Sequence, residues 1–512
     1  MLKRPSRRDV LRGTGAALAA GVVGCRRGPA IHVDRPRLTH GVQAGDVDGD
    51  RAVVWARVDR PARLRVEWDT TPRFADPRRV DGPDVDPTGD HAGVIALTGL
   101  PPGQTIFYRL VAASGRATSD AVVGRFASAP VAGATWRLAW SGDTCGQGFG
   151  IDPAYGGLRT YRAIREAEPH AFLHVGDLIY GDNPILPEVP LGGGAVWRNQ
   201  TSEVLARVAE SLDDFRARFA YPFDDPQVRD LAAEVAIIAQ WDDHETHNNW
   251  WPGQILADDR YRERSASVLA ARARQALFEW IPIGRDQRGP GTPINRVLHH
   301  GPHLDVVVVD LRSFRTATDR AGDDGAPMLG RDQAAWLVEA LAGSRATWKI
   351  VACDQPLGLI IPDGDDDPTR QEGWALPGEP VRGREQELAW VLAELDRRGV
   401  DDVVWLTADV HYAAAHHYDP ARARGPRFRP FWEFVAGPLH AGTFGPNPLD
   451  PTFGPEVRFQ WAPPPGTGNL PPSAGLQSFG TVTLDGRTRE LTVRLHGREG
   501  DVRHTVTLAP SR

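Results

Sequence analysis

A chain of 512 residues exceeds what one hydrophobic core ordinarily organises, so two or more domains are expected. Hydrophobic residues make up 41 % and charged residues 24 %, a globular composition that excludes a disordered chain. The 59 basic residues are outweighed by 66 acidic ones, and a net charge of −7 leaves no electrostatic footprint for wrapping nucleic acid. Nearly all the basic residues are arginine, which remains compatible with a local anion site. Cys25, Cys145 and Cys353 are too few for a disulfide framework, so each needs its own explanation.

The first element, residues 1–25, reads as a targeting segment. Basic residues precede an apolar run of small side chains that is far shorter than the ~20 residues a membrane-spanning helix needs. Ser6-Arg7-Arg8-Asp9-Val10-Leu11-Arg12 resembles a twin-arginine (Tat) export consensus, with valine in place of the usual phenylalanine. Val22-Val23-Gly24-Cys25 resembles a lipobox, which would make Cys25 a lipid anchor. The Tat translocase is then a transient partner, and the location is periplasmic or cell-surface. Tat carries folded proteins, which suits an enzyme that takes up metal before it leaves the cytoplasm.

Residues 35–130 read as short strands and turns. Val53–Val58, Arg63–Trp68 and Thr105–Val111 have strand length and patterning, and Leu100-Pro101-Pro102-Gly103 is a turn. Such spacing predicts a small all-β sandwich of immunoglobulin or fibronectin type. No cluster of metal-binding side chains sits at its strand ends, so an accessory role is expected. Residues 134–512 change texture to short, continuously apolar strands alternating with helices such as 161–168 and 331–341. Continuous apolarity predicts a sheet covered on both faces, a layered α/β domain. Residues 479–484 and 491–495 read as a closing strand pair. Proline- and glycine-rich stretches at 184–194, 284–293 and 463–472 read as loops.

The chemistry lies in what ends each strand. Trp136–Trp140 runs into Ser141-Gly142-Asp143-Thr144-Cys145, and Ala171–Val175 into Gly176-Asp177-Leu178-Ile179-Tyr180. Val235–Gln240 runs into Trp241-Asp242-Asp243-His244-Glu245-Thr246-His247-Asn248, and Val403–Thr407 into Ala408-Asp409-Val410-His411. Ligands of α/β sheets bind at the carboxyl ends of the strands. Four such ends delivering carboxylates and imidazoles concentrate negative charge in a partly buried cleft, and bound cations are its natural compensation.

Taken in this order, the motifs resemble those of the calcineurin-like and purple-acid metallophosphoesterases. The form Trp241-Asp242-Asp243-His244-Glu245 with Asn248-Asn249-Trp250 and Asp409-Val410-His411 resembles the PhoD alkaline phosphatases in particular. Asp310-Leu311-Arg312-Ser313-Phe314-Arg315 and Leu329-Gly330-Arg331-Asp332 add to the likeness, which spans nearly the whole chain. It implies an α/β/β/α metallophosphoesterase domain behind the β-sandwich. It further implies Fe(3+) held by Asp177, Tyr180, His411 and Cys145, with Asp143 as a second candidate from the first strand. Asp177 would bridge to Ca(2+), held by Asp243, Asn248 and Asp409, with Asp242 beside them. His244 would stabilise the phosphate or protonate the leaving alcohol, and Arg216 and Arg315 are candidates for clamping phosphate oxygens.

The chain departs from the PhoD pattern at the first strand, where Ser141-Gly142-Asp143-Thr144-Cys145 leaves both Asp143 and Cys145 open as the iron ligand. No histidine follows Trp348–Cys353, which favours oxygen ligands over zinc at the second position. The implied reaction is hydrolysis of phosphate mono- or diesters by a metal-bound hydroxide. The alternatives are a specialised phosphodiesterase or phospholipase, and a non-catalytic surface binding protein on the same scaffold.

Overall fold

The computed structural model describes residues 34–284, 292–364, 367, 369–378, 380–425 and 427–511. The expected export signal and Cys25 lie outside them, as do residues 285–291 of the third expected loop. Pro36–Arg512 groups as one compact unit.

Alternation along the strands sets the layers. In Trp136–Ser141, the side chains of Trp136, Leu138 and Trp140 enter a core shared with a second sheet, whereas Ala139 faces helices. Ala171–Val175 likewise sends Ala171, Leu173 and Val175 to the inter-sheet core and Phe172 to the helical side. Successive side chains of a strand point to opposite faces, so strands apolar throughout must be covered on both. A 9-stranded and a 7-stranded sheet therefore pack face to face. Helices Arg159–Glu166, Leu212–Ala220, Pro226–Glu234 and Ala266–Trp280 cover the first sheet. Arg331–Gly343 and Arg384–Arg397 cover the second. This is the expected α/β/β/α layering.

Trp136–Ser141, Ala171–Val175 and Ala236–Gln240 are parallel neighbours in one sheet. Leu304–Val308, Trp348–Ala352, Val403–Thr407 and Phe431–Val435 are parallel neighbours in the other. Parallel strands bring their carboxyl ends to one edge, which is where the motif-bearing loops meet.

Two features differ from the sequence reading. Residues 184–194, expected as loop, include a strand of a hairpin, Glu188–Gly192 paired with Ala195–Arg198. It turns on Gly193 and Gly194, both at positive φ. The β-sandwich is also less separate than the texture change suggests. Arg78–Val85, Ala62–Asp69, Thr105–Ser114 and their neighbours form one of its sheets. The other, Leu38–Asp48 with Arg51–Val58 and Ala92–Leu97, is hydrogen-bonded onto the 9-stranded sheet's motif-bearing strands, where Gly45 pairs with Ile237. A Cβ on Gly45 would lie 2.4 Å from the Pro282 carbonyl oxygen and 2.8 Å from that of Ile237. Only glycine lets these backbones approach so closely.

Candidate metal centre

Each site residue is placed by an abrupt turn after a buried strand. Asp143 (φ 67°), Asp177 (φ 51°), Asp409 (φ 66°) and His411 (φ 58°) all adopt left-handed backbone. That conformation costs a non-glycine residue roughly 1–2 kcal/mol and persists where neighbours enforce it. The Thr144 N–H donates to the Asp177 carbonyl oxygen at 2.8 Å, and the His440 N–H to that of Asp143 at 3.0 Å. Glu245 ties two of the loops together. Its buried carboxylate accepts from the backbone N–H of Leu178 at 2.5 Å, of Asp242 at 2.7 Å and of Asp177 at 3.2 Å. Burial pushes its pKa up to about 8.

Among the described residues three groups of donors result, with ligand atoms in each within 4.8 Å of one another: Asp143, Asp177 and His411; Asp177, Asp243 and His244; Asp242, Asp243 and Asp409. Asp177 belongs to two of them, and Asp243 to two. His411 donates its Nδ1–H to the Gly442 carbonyl oxygen, which leaves the Nε2 lone pair facing the Tyr180 hydroxyl at 3.0 Å and Asp143 at 3.5 Å. The His244 ring stacks on Tyr180 with centroids 4.2 Å apart, and its Nδ1 is 2.7 Å from Asp182. The backbone N–H of His244 donates to Asp177 at 3.1 Å, and that of Asn249 to Asp243 at 2.6 Å. Asp177, Asp243, His244, Asn248, Asp409 and His411 line a cavity of about 300 Å³.

The electrostatics call for cations. Burial, together with repulsion from neighbouring carboxylates, holds Asp143, Asp177 and Asp409 well above the usual carboxylate range. Burial also pushes Tyr180 well above an ordinary phenol. For Asp243 burial acts upward too, but Arg312 and His244 outweigh it and keep the carboxyl below its usual range. Asp143 Oδ2 is buried with no hydrogen-bond partner. A carboxylate with an orphaned oxygen, grouped with the Asp177 carboxylate and the His411 imidazole, fits a metal ion, and a positive charge there would oppose the upward shifts of Asp143 and Asp177.

The sequence-derived candidates divide. Asp143, Asp177, Tyr180, Asp243, His244, Asp409 and His411 come together. Asp242 joins them, but its carboxylate is 2.5 Å from Arg312. Asn248 lines the cavity while its own N–H donates to Asp182 at 3.0 Å. Cys145 is not brought to the donor groups. Its thiol lies in the helical-side core, with Asp225, Arg218, Tyr161 and Tyr221 as electrostatic neighbours, and burial pushes it above an ordinary thiol. The turn at Asp143 carries the chain past the cleft before Cys145 is reached, so spacing to Asp177 could not separate the two.

Arg216 is not at the site either. It pairs with Glu279 at 2.7 Å and with Asp213, and donates to the Thr88 carbonyl oxygen. It thus fastens the helix Leu212–Ala220 to Ala266–Trp280 and to the β-sandwich. Arg216→Ala is expected to leave kcat within about twofold while lowering stability by roughly 1–3 kcal/mol, checked by steady-state kinetics and denaturant titration. Arg315 is buried behind the cavity against Glu372, so it does not reach a phosphate directly.

Sequence reading missed Asp182, Glu245, Arg312, Asp354 and Glu372. Arg312 had a legible signal, since it follows a continuous apolar run just as the aspartates do. Asp182 lies just past Tyr180 in the same loop.

Comparison with known proteins gives the family and the fold. The model of the PhoD-like phosphatase family matches residues 138–495, and that of the PhoD-like phosphatase N-terminal domain matches 24–130. Alkaline phosphatase D of Bacillus subtilis (strain 168) is 25 % identical over 482 residues, covering 86 % of this chain and 77 % of that protein. A solved structure of PhoD superimposes with a TM-score of 0.66 at 19 % identity, covering 92 % of this chain and 88 % of the other. A purple acid phosphatase from yellow lupin (Lupinus luteus) seeds gives 0.57 at 13 % identity, covering 93 % and 74 %. At these identities the two structures speak for the fold.

Proposed function

Because the chain belongs to the PhoD-like phosphatase family, and so is a phosphoric ester hydrolase, we propose that it is an exported, metal-dependent enzyme acting on phosphate mono- and diesters. The observation that carries the metal dependence is Asp177, whose carboxylate is shared by two adjoining donor groups, one holding the orphaned oxygen of Asp143. Asp143, Asp177, Tyr180 and His411 would hold one cation. Hard oxygen, imidazole and phenol donors suit Fe(3+). Asp243, Asp409 and Asn248, with Asp177 between, would hold the second, and an oxygen-only set suits Ca(2+). When bound, such a pair supplies charge neutralisation for an anionic ester and activation of water.

The chain's own residues do the rest. Burial lowers the pKa of His244, but Asp182 and Asp243 outweigh it and raise the value to about 10. The Asp182 carboxylate on Nδ1 favours the protonated ring, which can give a proton to the departing alkoxide. Asp182 and the Tyr180 ring fix its orientation. Ile361, Pro362 and Phe444 supply the apolar part of the cavity wall and limit water.

A second cavity of about 540 Å³ shares Gln147, His244, Asn248 and Asn249 with the first. Its further walls include Asn183, His247, Trp251, Gln254, Arg260 and Arg370. A lining so polar favours a hydrophilic leaving group over the acyl chains of a phospholipase substrate. Export by the Tat translocase through residues 1–25, with Cys25 as a lipid anchor, would place this activity in the periplasm or at the cell surface.

Exhaustive chelation is expected to abolish hydrolysis of a monoester and a diester alike, and metal restoration to recover both. Full activity in protein shown metal-free by elemental analysis would overturn the reading.

A further inference from the structure

Behind the cavity lies a guanidinium that the strand-end motifs do not account for. Arg312 follows the strand Leu304–Val308 and is fully buried. Its Nη2 is 2.5 Å from Asp242 and 2.8 Å from Glu372, and it stands 3.6 Å from Asp243 and 3.8 Å from Asp409. Its Nε is 3.5 Å from Asp354. Asp242 follows Ala236–Gln240, Asp354 follows Trp348–Ala352 and Asp409 follows Val403–Thr407, so strand ends from both sheets converge on one cation. Arg315 adds a second guanidinium on Glu372 at 3.1 Å, and Gln240 donates to Asp354 at 2.9 Å.

We propose that Arg312 is a positioning residue for the second cation: by holding Asp242 and Glu372 it keeps Asp243 and Asp409 gathered at the spacing a divalent ion requires. The proposal rests on the two-cation reading above. Arg312 is not among the residues lining the catalytic cavity, so it acts through the carboxylates and not on the substrate. The guanidinium donates from Nε to Asp242 and stands at ion-pair distance from Glu372, Asp243 and Asp409 through Nη2, a spread that a lysine ammonium on a flexible stem does not reproduce. A buried arginine is also costly unless paired, and here the compensation comes from the residues it orders. Among the described residues Arg312 pairs with no member of the first donor group, Asp143, Asp177 and His411, so the effect is confined to one position.

The test compares calcium binding by wild-type protein, Arg312→Gln and Arg312→Lys, with cation content after dialysis measured by elemental analysis and affinity by calorimetry. Arg312→Gln is expected to keep the first cation and to raise the calcium dissociation constant at the second position by at least about tenfold, as loss of an outer-shell partner typically does. Arg312→Lys, which preserves charge and guards against a folding failure, is expected to show a smaller rise of about threefold or more. Absence of a second cation in the wild type overturns the two-cation reading, and the positioning role with it. A second cation in the wild type that Arg312→Lys keeps at unchanged affinity overturns the positioning role alone.

Discussion

Asp177→Asn is expected to reduce kcat by at least about a thousandfold, roughly 4 kcal/mol in barrier, with little loss of fold. The residue sits within ligand distance of Asp143 and His411 on one side and of Asp243 and His244 on the other. It also accepts the His244 backbone N–H, so one carboxylate organises both donor groups. An amide is nearly isosteric but carries no charge, and it would leave two adjoining positions each short of a ligand. The backbone of Asp177 already adopts a left-handed turn that asparagine tolerates, so the strand end should keep its course. Steady-state kinetics, circular dichroism and cation content on one preparation check this. A variant retaining more than about a tenth of wild-type kcat would show that Asp177 does not bridge the centre.

The second large effect separates Asp143 from Cys145. Asp143→Asn is expected to lose the cation at the first position and nearly all activity, because the lost charge belongs to the carboxylate with an orphaned buried oxygen. Cys145→Ser is expected to retain both cation and turnover. Its cost should appear in stability, about 1–3 kcal/mol, for placing a hydroxyl where the structure has a buried thiol in an apolar core. Iron content and the visible absorption of the two variants decide the matter. Loss of iron from Cys145→Ser with Asp143→Asn unaffected would reverse the assignment made from the geometry.

Much of the scaffold was legible because its signals are local. Continuous apolar runs such as Ala171–Val175 and Val403–Thr407 declare strands covered on both faces, and a polar motif after each declares the carboxyl-end loop. The position of Asp177, Asp243, Asp409 and His411 after strand ends could be read in the same way, whereas their roles and that of Tyr180 as ligands were implied by the family resemblance. Those runs predict a layered α/β domain, and the family resemblance implies its two-sheet α/β/β/α form. The union of one sandwich sheet with the catalytic sheet follows from neither, since it depends on two backbones meeting at Gly45.

What needed tertiary structure was direction and partnership. Asp143 and Cys145 lie two positions apart, and left-handed backbone at both sends one side chain into the cleft and the other into the core. Arg216 looked like a phosphate clamp until Glu279, distant in sequence, was seen to hold it. Arg312 stood in a motif that added to the family likeness but suggested no role for it, because its meaning lies in carboxylates from several other segments. Sequence by itself determined which elements form and which chemistry-bearing side chains end them, since hydrophobic periodicity and turn chemistry act over a few residues. Only the folded chain decided which of those side chains face one another, since charge compensation among buried groups is settled by distances between segments far apart along the chain.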